Sequence, residues 1–131
     1  MTRAPVLIVD DNPVNLKLAR VLLAGAGYEV RTAGDAEEAL DVLETFCPKL
    51  ILMDIQLPGM DGLTLTRQLK SNPGTQDIII VALTAYAMKG DEEKARASGC
   101  TGYITKPLDT RTFADDVARH LEAGTGVPRA A

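Results

Sequence analysis

Three short stretches of the chain, Val6-Leu7-Ile8-Val9, Leu50-Ile51-Leu52-Met53 and Ile78-Ile79-Ile80-Val81-Ala82-Leu83, are apolar without interruption. A strand with no polar alternation is buried on both faces, which calls for a parallel sheet covered by helices on each side. Tyr28 to Ala33 and Thr101 to Thr105 read as two further strands, more mixed in composition and suited to positions nearer an edge. Segments of helical spacing lie between these five and after the last. The pattern is therefore βα repeated five times.

Helix boundaries carry their own chemical signals. Pro13 suits a first helical position, where the missing N–H has no partner to lose, and Gly25 with Gly27 stops that helix after Leu22-Leu23-Ala24. Asp35 is a cap for a second helix, with Glu38 completing a capping-box-like pair and Leu40, Leu43 and Phe46 facing inward. Asp61 caps a third helix over Leu63 to Lys70, which Ser71-Asn72-Pro73-Gly74 ends. The fourth runs from Lys89 to Ser98 with Asp91, Glu92 and Glu93 in its first turn, favoured there by the helix dipole. The fifth starts at about Asp109 and buries Phe113, Val117 and Leu121. His120 falls near the end of this helix, where partial positive charge suits the dipole, and reads as structural.

Alternating strands and helices with short connections imply right-handed crossovers and a three-layer α/β sandwich. Two strand orders compete, and the flavodoxin-like 2-1-3-4-5 is the usual one for five strands. At 131 residues the chain forms one domain, expected over 1–123, with 124–131 as a short tail. A chain of this size hides roughly 68% of its unfolded surface and needs no metal or disulfide staple. The net charge of −4 argues against a sequence-independent grip on nucleic acid. No apolar run approaches the roughly 18 residues of a membrane span, and Asp10 and Asp11 interrupt the first one, so neither a signal peptide nor a membrane anchor is expected. Cys47 and Cys100 form no C-x-x-C pair and read as buried free thiols in a reducing cytoplasm.

In such a sheet a ligand binds outside the carboxyl ends of the strands, at the switch point beside strand one. The residues that follow the strands are Asp10 and Asp11 after the first, Asp54 after the third, Thr84 after the fourth, and Lys106 with Pro107 after the fifth. With strands about 4.8 Å apart, Asp54 is central, the acid pair lies one strand to one side and Thr84 one strand to the other. Lys106 is two strands away and must use its length. A pair of carboxylates 4 Å apart costs about 4 kcal/mol at an effective dielectric near 20, which a divalent cation relieves. All-oxygen ligands select a hard ion, Mg²⁺ before Zn²⁺. A cation beside a carboxylate, faced by a hydroxyl and an ammonium, suits a phosphoryl group. Asp at strand ends is also common as a cap or turn residue, which is the reading kept for Asp35 and Asp61. Four chemically matched loops on one edge point instead to a site.

At these residues the chain resembles the response-regulator receiver domains of two-component signalling. The resemblance spans residues 5 to 123 and rests on Val6 through Asn12, on Met53-Asp54-Ile55-Gln56-Leu57-Pro58-Gly59-Met60-Asp61-Gly62, on Leu83-Thr84-Ala85, and on Gly99-Cys100 with Tyr103 to Pro107. The stretch Thr84 to Asp91 looks most like stand-alone cell-cycle and sporulation regulators and the receivers of hybrid histidine kinases.

The resemblance implies Asp54 as phosphoacceptor, with Asp10, Asp11, Asp54 and the backbone carbonyl of Gln56 holding Mg²⁺, or Mn²⁺ in its place. It further implies that Thr84 and Lys106 follow the phosphoryl group, that the amides of Gln56 and Ala85 complete its cradle, and that Pro107 follows a cis peptide bond. Thr84 and Tyr103 would form the switch that remodels the face of helix four, strand five and helix five, while Gln56 and Tyr86 would tune phosphate lifetime. The implied partners are a histidine kinase or histidine phosphotransfer protein, met through Val14, Lys17 and Val21 of helix one, and a downstream protein. A cytoplasmic monomer, or a weak phosphorylation-dependent dimer, is the expected state. It is not expected to be an enzyme beyond its own phosphotransfer and dephosphorylation.

Three other readings compete. A Mg²⁺ phosphatase with an aspartyl nucleophile wants Asp-x-Asp-x-Thr, and here Gln56 stands where the second acid belongs. A flavodoxin-like cofactor binder needs a phosphate loop after strand one, where Asp10-Asp11-Asn12-Pro13 has the opposite charge. The third reading keeps the receiver but takes it as excised from a hybrid histidine kinase.

Overall fold

The structure, a computed structural model, describes residues 3–57, 59–84, 89–106 and 108–124. Elements alternate strictly along the chain: β1 (Arg3–Val9), α1 (Pro13–Gly25), β2 (Tyr28–Ala33), α2 (Ala36–Leu43), β3 (Leu50–Asp54), α3 (Gly62–Lys70), β4 (Ile79–Thr84), α4 (Lys89–Ser98), β5 (Gly102–Thr105) and α5 (Phe113–Gly124). The five strands form one parallel sheet in the order β2-β1-β3-β4-β5. This is the flavodoxin-like α/β sandwich.

Each continuous apolar run has become a strand buried on both faces. Val6, Ile8, Leu50, Leu52, Val81 and Leu83 pack against Ala19 and Leu23 of α1 and Phe113 and Val117 of α5. Their alternates Leu7, Val9, Ile51, Met53, Ile80 and Ala82 pack against α2, α3 and α4 through Ala36, Ala39, Leu65, Leu69 and Ala95. The period-two alternation of side chains thus serves two cores at once. The register sets Val9 beside Met53, Asp54 beside Leu83 and Thr84 beside Thr105, so the polar ends of β1, β3 and β4 come level.

The caps that position these ends form as the residue types suggest. Asn12 caps α1 by accepting from the amides of Val14 at 2.9 Å and Asn15 at 3.4 Å. Asp35 accepts from the Glu38 amide at 2.8 Å, while Glu38 reaches back to the Gly34 amide at 3.2 Å rather than to that of Asp35. Asp61 accepts from the Thr64 amide at 2.8 Å and starts α3.

Several boundaries depart from the sequence reading. β1 begins at Arg3, extending its pairing with β2, whereas β4 begins at Ile79 and β5 at Gly102. α5 begins at Phe113, after a turn over residues 109–112 in which the Asp109 carboxylate accepts from the Arg111 amide at 2.9 Å and its carbonyl from the Thr112 and Phe113 amides. Leu121 is only partly buried. Cys100 is buried as expected, but Cys47 is exposed. It lies between the buried Phe46 and Pro48 on an extended segment, where alternation turns it outward. Among the described residues, no helix is long and apolar enough to cross a membrane.

Candidate functional site at the carboxyl edge of the sheet

Asp10 directly follows the buried run Val6 to Val9 of β1, Asp54 ends the wholly buried β3, and both acids are themselves buried, at 0% and 4% exposure. Asp11, one residue beyond, is exposed. Carboxylate oxygens of Asp10, Asp11 and Asp54 all lie within 4.8 Å of one another. Lys106 crosses from the end of β5 and sets its Nζ 2.9 Å from Asp10 Oδ2 and 3.1 Å from Asp54 Oδ2. Its own amide donates to the Thr84 carbonyl at 2.7 Å, which fixes where the side chain starts. One ammonium therefore serves two carboxylates.

The backbone holds the remaining oxygens. The Gln56 amide donates to Asp54 Oδ1 at 2.9 Å, and the Asn12 amide donates to Asp10 Oδ1 at 2.9 Å. Asn12 thus has two tasks, since its side chain caps α1 while its amide clamps Asp10. The sequence reading assigned it neither task, although an Asn immediately before Pro13 is a recognisable cap. Asp10 Oδ2 accepts no directed hydrogen bond despite its closeness to Lys106, and it is buried.

Burial pushes the Asp54 carboxyl up to about 6, against the pull of the Gln56 amide; the Asp10 charge adds to the rise, and the charge and hydrogen bond of Lys106 oppose it. Burial alone would lower the Lys106 ammonium, but Asp10 and Asp54 outweigh it and hold its pKa above the ordinary lysine value. The two shifts have different leading causes: burial raises Asp54, while the carboxylates of Asp10 and Asp54 raise Lys106 against its own burial. Three all-oxygen side chains, two of them buried and one with an undirected oxygen, fit a hard divalent cation that keeps part of its water shell.

Thr84 is buried at the end of β4, level with Thr105, on the side of Asp54 away from the acid pair. Tyr103 on β5 is half-buried and packs against the cluster under α2, α3 and α4. Gln56 is exposed just past Asp54. On α1, Val14 is 71% and Val21 56% exposed, and with Pro13, Lys17 and Leu18 they line an open apolar patch next to the acids. The expectations for Ala85, Tyr86 and Pro107 lie outside the described residues. His120 is at the opposite edge of the sheet, with its ring against the bare backbone of Gly102. Burial lowers its pKa, so it favours the neutral form over the dipole-stabilised cation read from the sequence.

Comparison with known proteins agrees with this geometry. The model of the response regulator receiver domain matches residues 6–118. The chain is similar to the polar-differentiation response regulator DivK of Brucella ovis, 45% identical over 121 residues that cover 92% of this chain and 98% of that protein. DivK of Brucella anthropi is 45% identical over 116 residues, covering 88% and 94%. Among solved structures, the chemotaxis response regulator CheY4 of Vibrio cholerae superposes with a TM-score of 0.85 at 29% identity, covering 91% of this chain and 99% of that one. A putative response regulator from Chloroflexus aurantiacus gives 0.86 at 32% identity, covering 92% and 99%.

Proposed function

The chain belongs to the response regulator receiver domain family, and on that premise we propose that Asp54 is its phosphoacceptor, charged by a phosphohistidine of a histidine kinase or phosphotransfer protein. The observation that carries this reading is the meeting of three carboxylates within 4.8 Å with one lysine bridging two of them. A structural salt bridge needs one acid. Three leave negative charge over for a cation, whose positive charge a phosphoryl group can then meet.

In the transfer, an oxygen of Asp54 forms a bond to phosphorus as the bond from phosphorus to the donor imidazole nitrogen breaks, and that nitrogen keeps the electron pair. Mg²⁺, held by Asp10, Asp11, Asp54 and the Gln56 carbonyl, supplies positive charge for the phosphoryl oxygens when bound, and Mn²⁺ would serve alike. Lys106 is fixed by its pairing with Asp10, so it can turn from Asp54 to a phosphoryl oxygen without leaving the pocket. Thr84 supplies a hydroxyl on the other side, and the amides of Gln56 and Ala85 complete the cradle. The acyl phosphate is later hydrolysed by in-line attack of water.

The output follows from the same charge change. With a phosphoryl group on Asp54, Thr84 and Tyr103 take new positions and alter the face of α4, β5 and α5 that meets a downstream protein. On the input side, the apolar patch of Val14, Leu18 and Val21 with Lys17 beside it suits a helix of the donor, and it adjoins the acids where the donor histidine must arrive. The test is intact mass after incubation with a small acyl phosphate, with and without Mg²⁺, on the wild type and on Asp54→Asn. A gain of one phosphoryl group that needs both Mg²⁺ and Asp54 is expected. Uptake by Asp54→Asn equal to wild type would remove the assignment.

A further inference from the structure

The first turn of α3 touches the phosphoacceptor's own peptide bond, and one residue makes that contact feasible. A Cβ built on Gly62 would lie 2.8 Å from the Asp54 carbonyl carbon and 2.9 Å from Ile55 Cα, and closer still to the Asp54 carbonyl oxygen. Those atoms are backbone, so no side-chain rotation relieves the overlap. Gly62 does not have the positive φ of Gly27, Gly59 and Gly99. What it supplies is space, not conformational freedom. Gly25, Gly34 and Gly59 have nothing within 4 Å of the corresponding position, and at Gly99 and Gly102 the neighbour is a side chain, Lys70 and His120 respectively.

Both sides of this contact are anchored. On the sheet side, the Ile55 amide donates to the Leu83 carbonyl at 3.3 Å, tying the residue after Asp54 to β4. On the helix side, the Gly62 amide donates to the Ile55 carbonyl at 3.3 Å, and the fully buried Thr66 donates its Oγ1 hydrogen to the Gly62 carbonyl at 2.8 Å. The Asp54 peptide thus sits between β4 and α3 with little room to retreat. The next amide along, that of Gln56, holds Asp54 Oδ1. Moving this peptide moves the carboxylate relative to Asp10, Asp11 and Lys106.

We propose that Gly62 is a positioning residue for the phosphoacceptor, and that its missing side chain sets the distance between the Asp54 carboxylate and the acids of β1. The proposal rests on the reading of Asp54 given above and adds a residue that touches neither phosphoryl group nor cation. Its consequence is that a single methyl at position 62 is absorbed at the Asp54 peptide, damaging the site more than the fold.

The experiment compares wild type, Gly62→Ala and Val117→Ala, the last a core variant on the opposite layer that lowers stability without approaching the site. Three quantities are read: the Gln56 amide shift in the metal-free protein, Mg²⁺ affinity by calorimetry, and the rate of phosphoryl uptake by intact mass. For Gly62→Ala we expect a displaced Gln56 amide, Mg²⁺ binding about tenfold weaker and uptake about tenfold slower or worse. Val117→Ala should match wild type in all three. A folded Gly62→Ala with wild-type amide shift, affinity and rate would overturn the proposal. So would equal losses in Val117→Ala, which would reduce the effect to stability. Should Gly62→Ala not fold in buffer, the titrations are repeated in trimethylamine N-oxide, which favours the compact state. Failure to fold even there would also overturn it, because the strain would not be local. If the wild type takes up no phosphoryl group, the reading of Asp54 fails, while the amide and Mg²⁺ arms still decide the role of Gly62.

Discussion

Lys106 and Lys70 stand at opposite edges of one sheet, each partly buried, and they end on different chemistry. Lys106 meets two carboxylates at the carboxyl edge. Lys70, at the end of α3, lays its stem over Gly99 and donates from Nζ to the carbonyls of Gln76, at 3.1 Å, and Ile78. Their ionisation diverges accordingly. Burial lowers the pKa of Lys70, with only Cys100 and Asp77 opposing, whereas two acids raise that of Lys106 against its own burial. A backbone carbonyl satisfies a donor without compensating its charge. A carboxylate does both, and among the described residues it is at the carboxyl edge that three of them gather within 4.8 Å of one another. One lysine closes a loop and the other conditions a site.

The comparison breaks most easily at Lys106. Lys106→Met leaves Asp10 and Asp54 buried without their shared counter-ion, and a loss of about 3 kcal/mol or more is expected in urea unfolding with chelator present. Added Mg²⁺ should then raise the melting temperature more in Lys106→Met than in wild type, because the cation takes over the missing charge. Equal Mg²⁺ effects in the two proteins would mean that Lys106 and the cation do not share a task. Lys70→Met keeps the stem over Gly99 and loses only donors to two neutral carbonyls, one on the exposed Gln76 and one on the half-buried Ile78. A loss of about 1 kcal/mol is expected, with no change in Mg²⁺ affinity or phosphoryl uptake. A fall in uptake in that variant would show the two edges to be coupled.

The difference between the edges also marks how far the sequence could be read. Val6 to Val9 and Leu50 to Met53 announce buried strands because unbroken apolar runs have few other uses, and the acids behind them follow at once. The distance from Lys106 to Asp54 was foreseeable in the same way, because strand order and spacing fix it. Contacts made by backbone against backbone leave no such trace. Gly62 is in the sequence only the last residue of the stretch Met53 to Gly62, before a helix expected from Leu63, until α3 is seen against the Asp54 peptide. Cys47 reads as a buried free thiol because it belongs to no C-x-x-C pair, and its outward turn depends on the local alternation of Phe46 and Pro48. The start of α5 differs for a third reason: Asp109 reads as the beginning of the helix, and its carboxylate and carbonyl do take the following amides, but they close a turn over 109–112 before the regular helix starts at Phe113.

The smallest expected effect tests the comparison through protons alone. In metal-free protein carrying isotopically labelled lysine, Lys70 should lose its proton at lower pH than Lys106, since burial depresses the one and carboxylates raise the other. The stability consequences have opposite signs. For Lys70 the unfolded chain holds its proton to higher pH than the folded one, so stability rises with pH between the folded value and 10.5. For Lys106 the folded chain holds the proton longer, so its contribution is complete below 10.5 and fades as pH rises through the folded value. In alkaline unfolding experiments, Lys106→Met should therefore lose less stability than wild type as pH increases, and Lys70→Met should lose more. Reversal of either slope would mean that the charge balance at that edge is not the one its neighbours imply. If the titration order alone reversed, the carboxyl edge would have to be screened by water, and the surplus of negative charge on which the phosphoryl site depends would be smaller than its buried acids require.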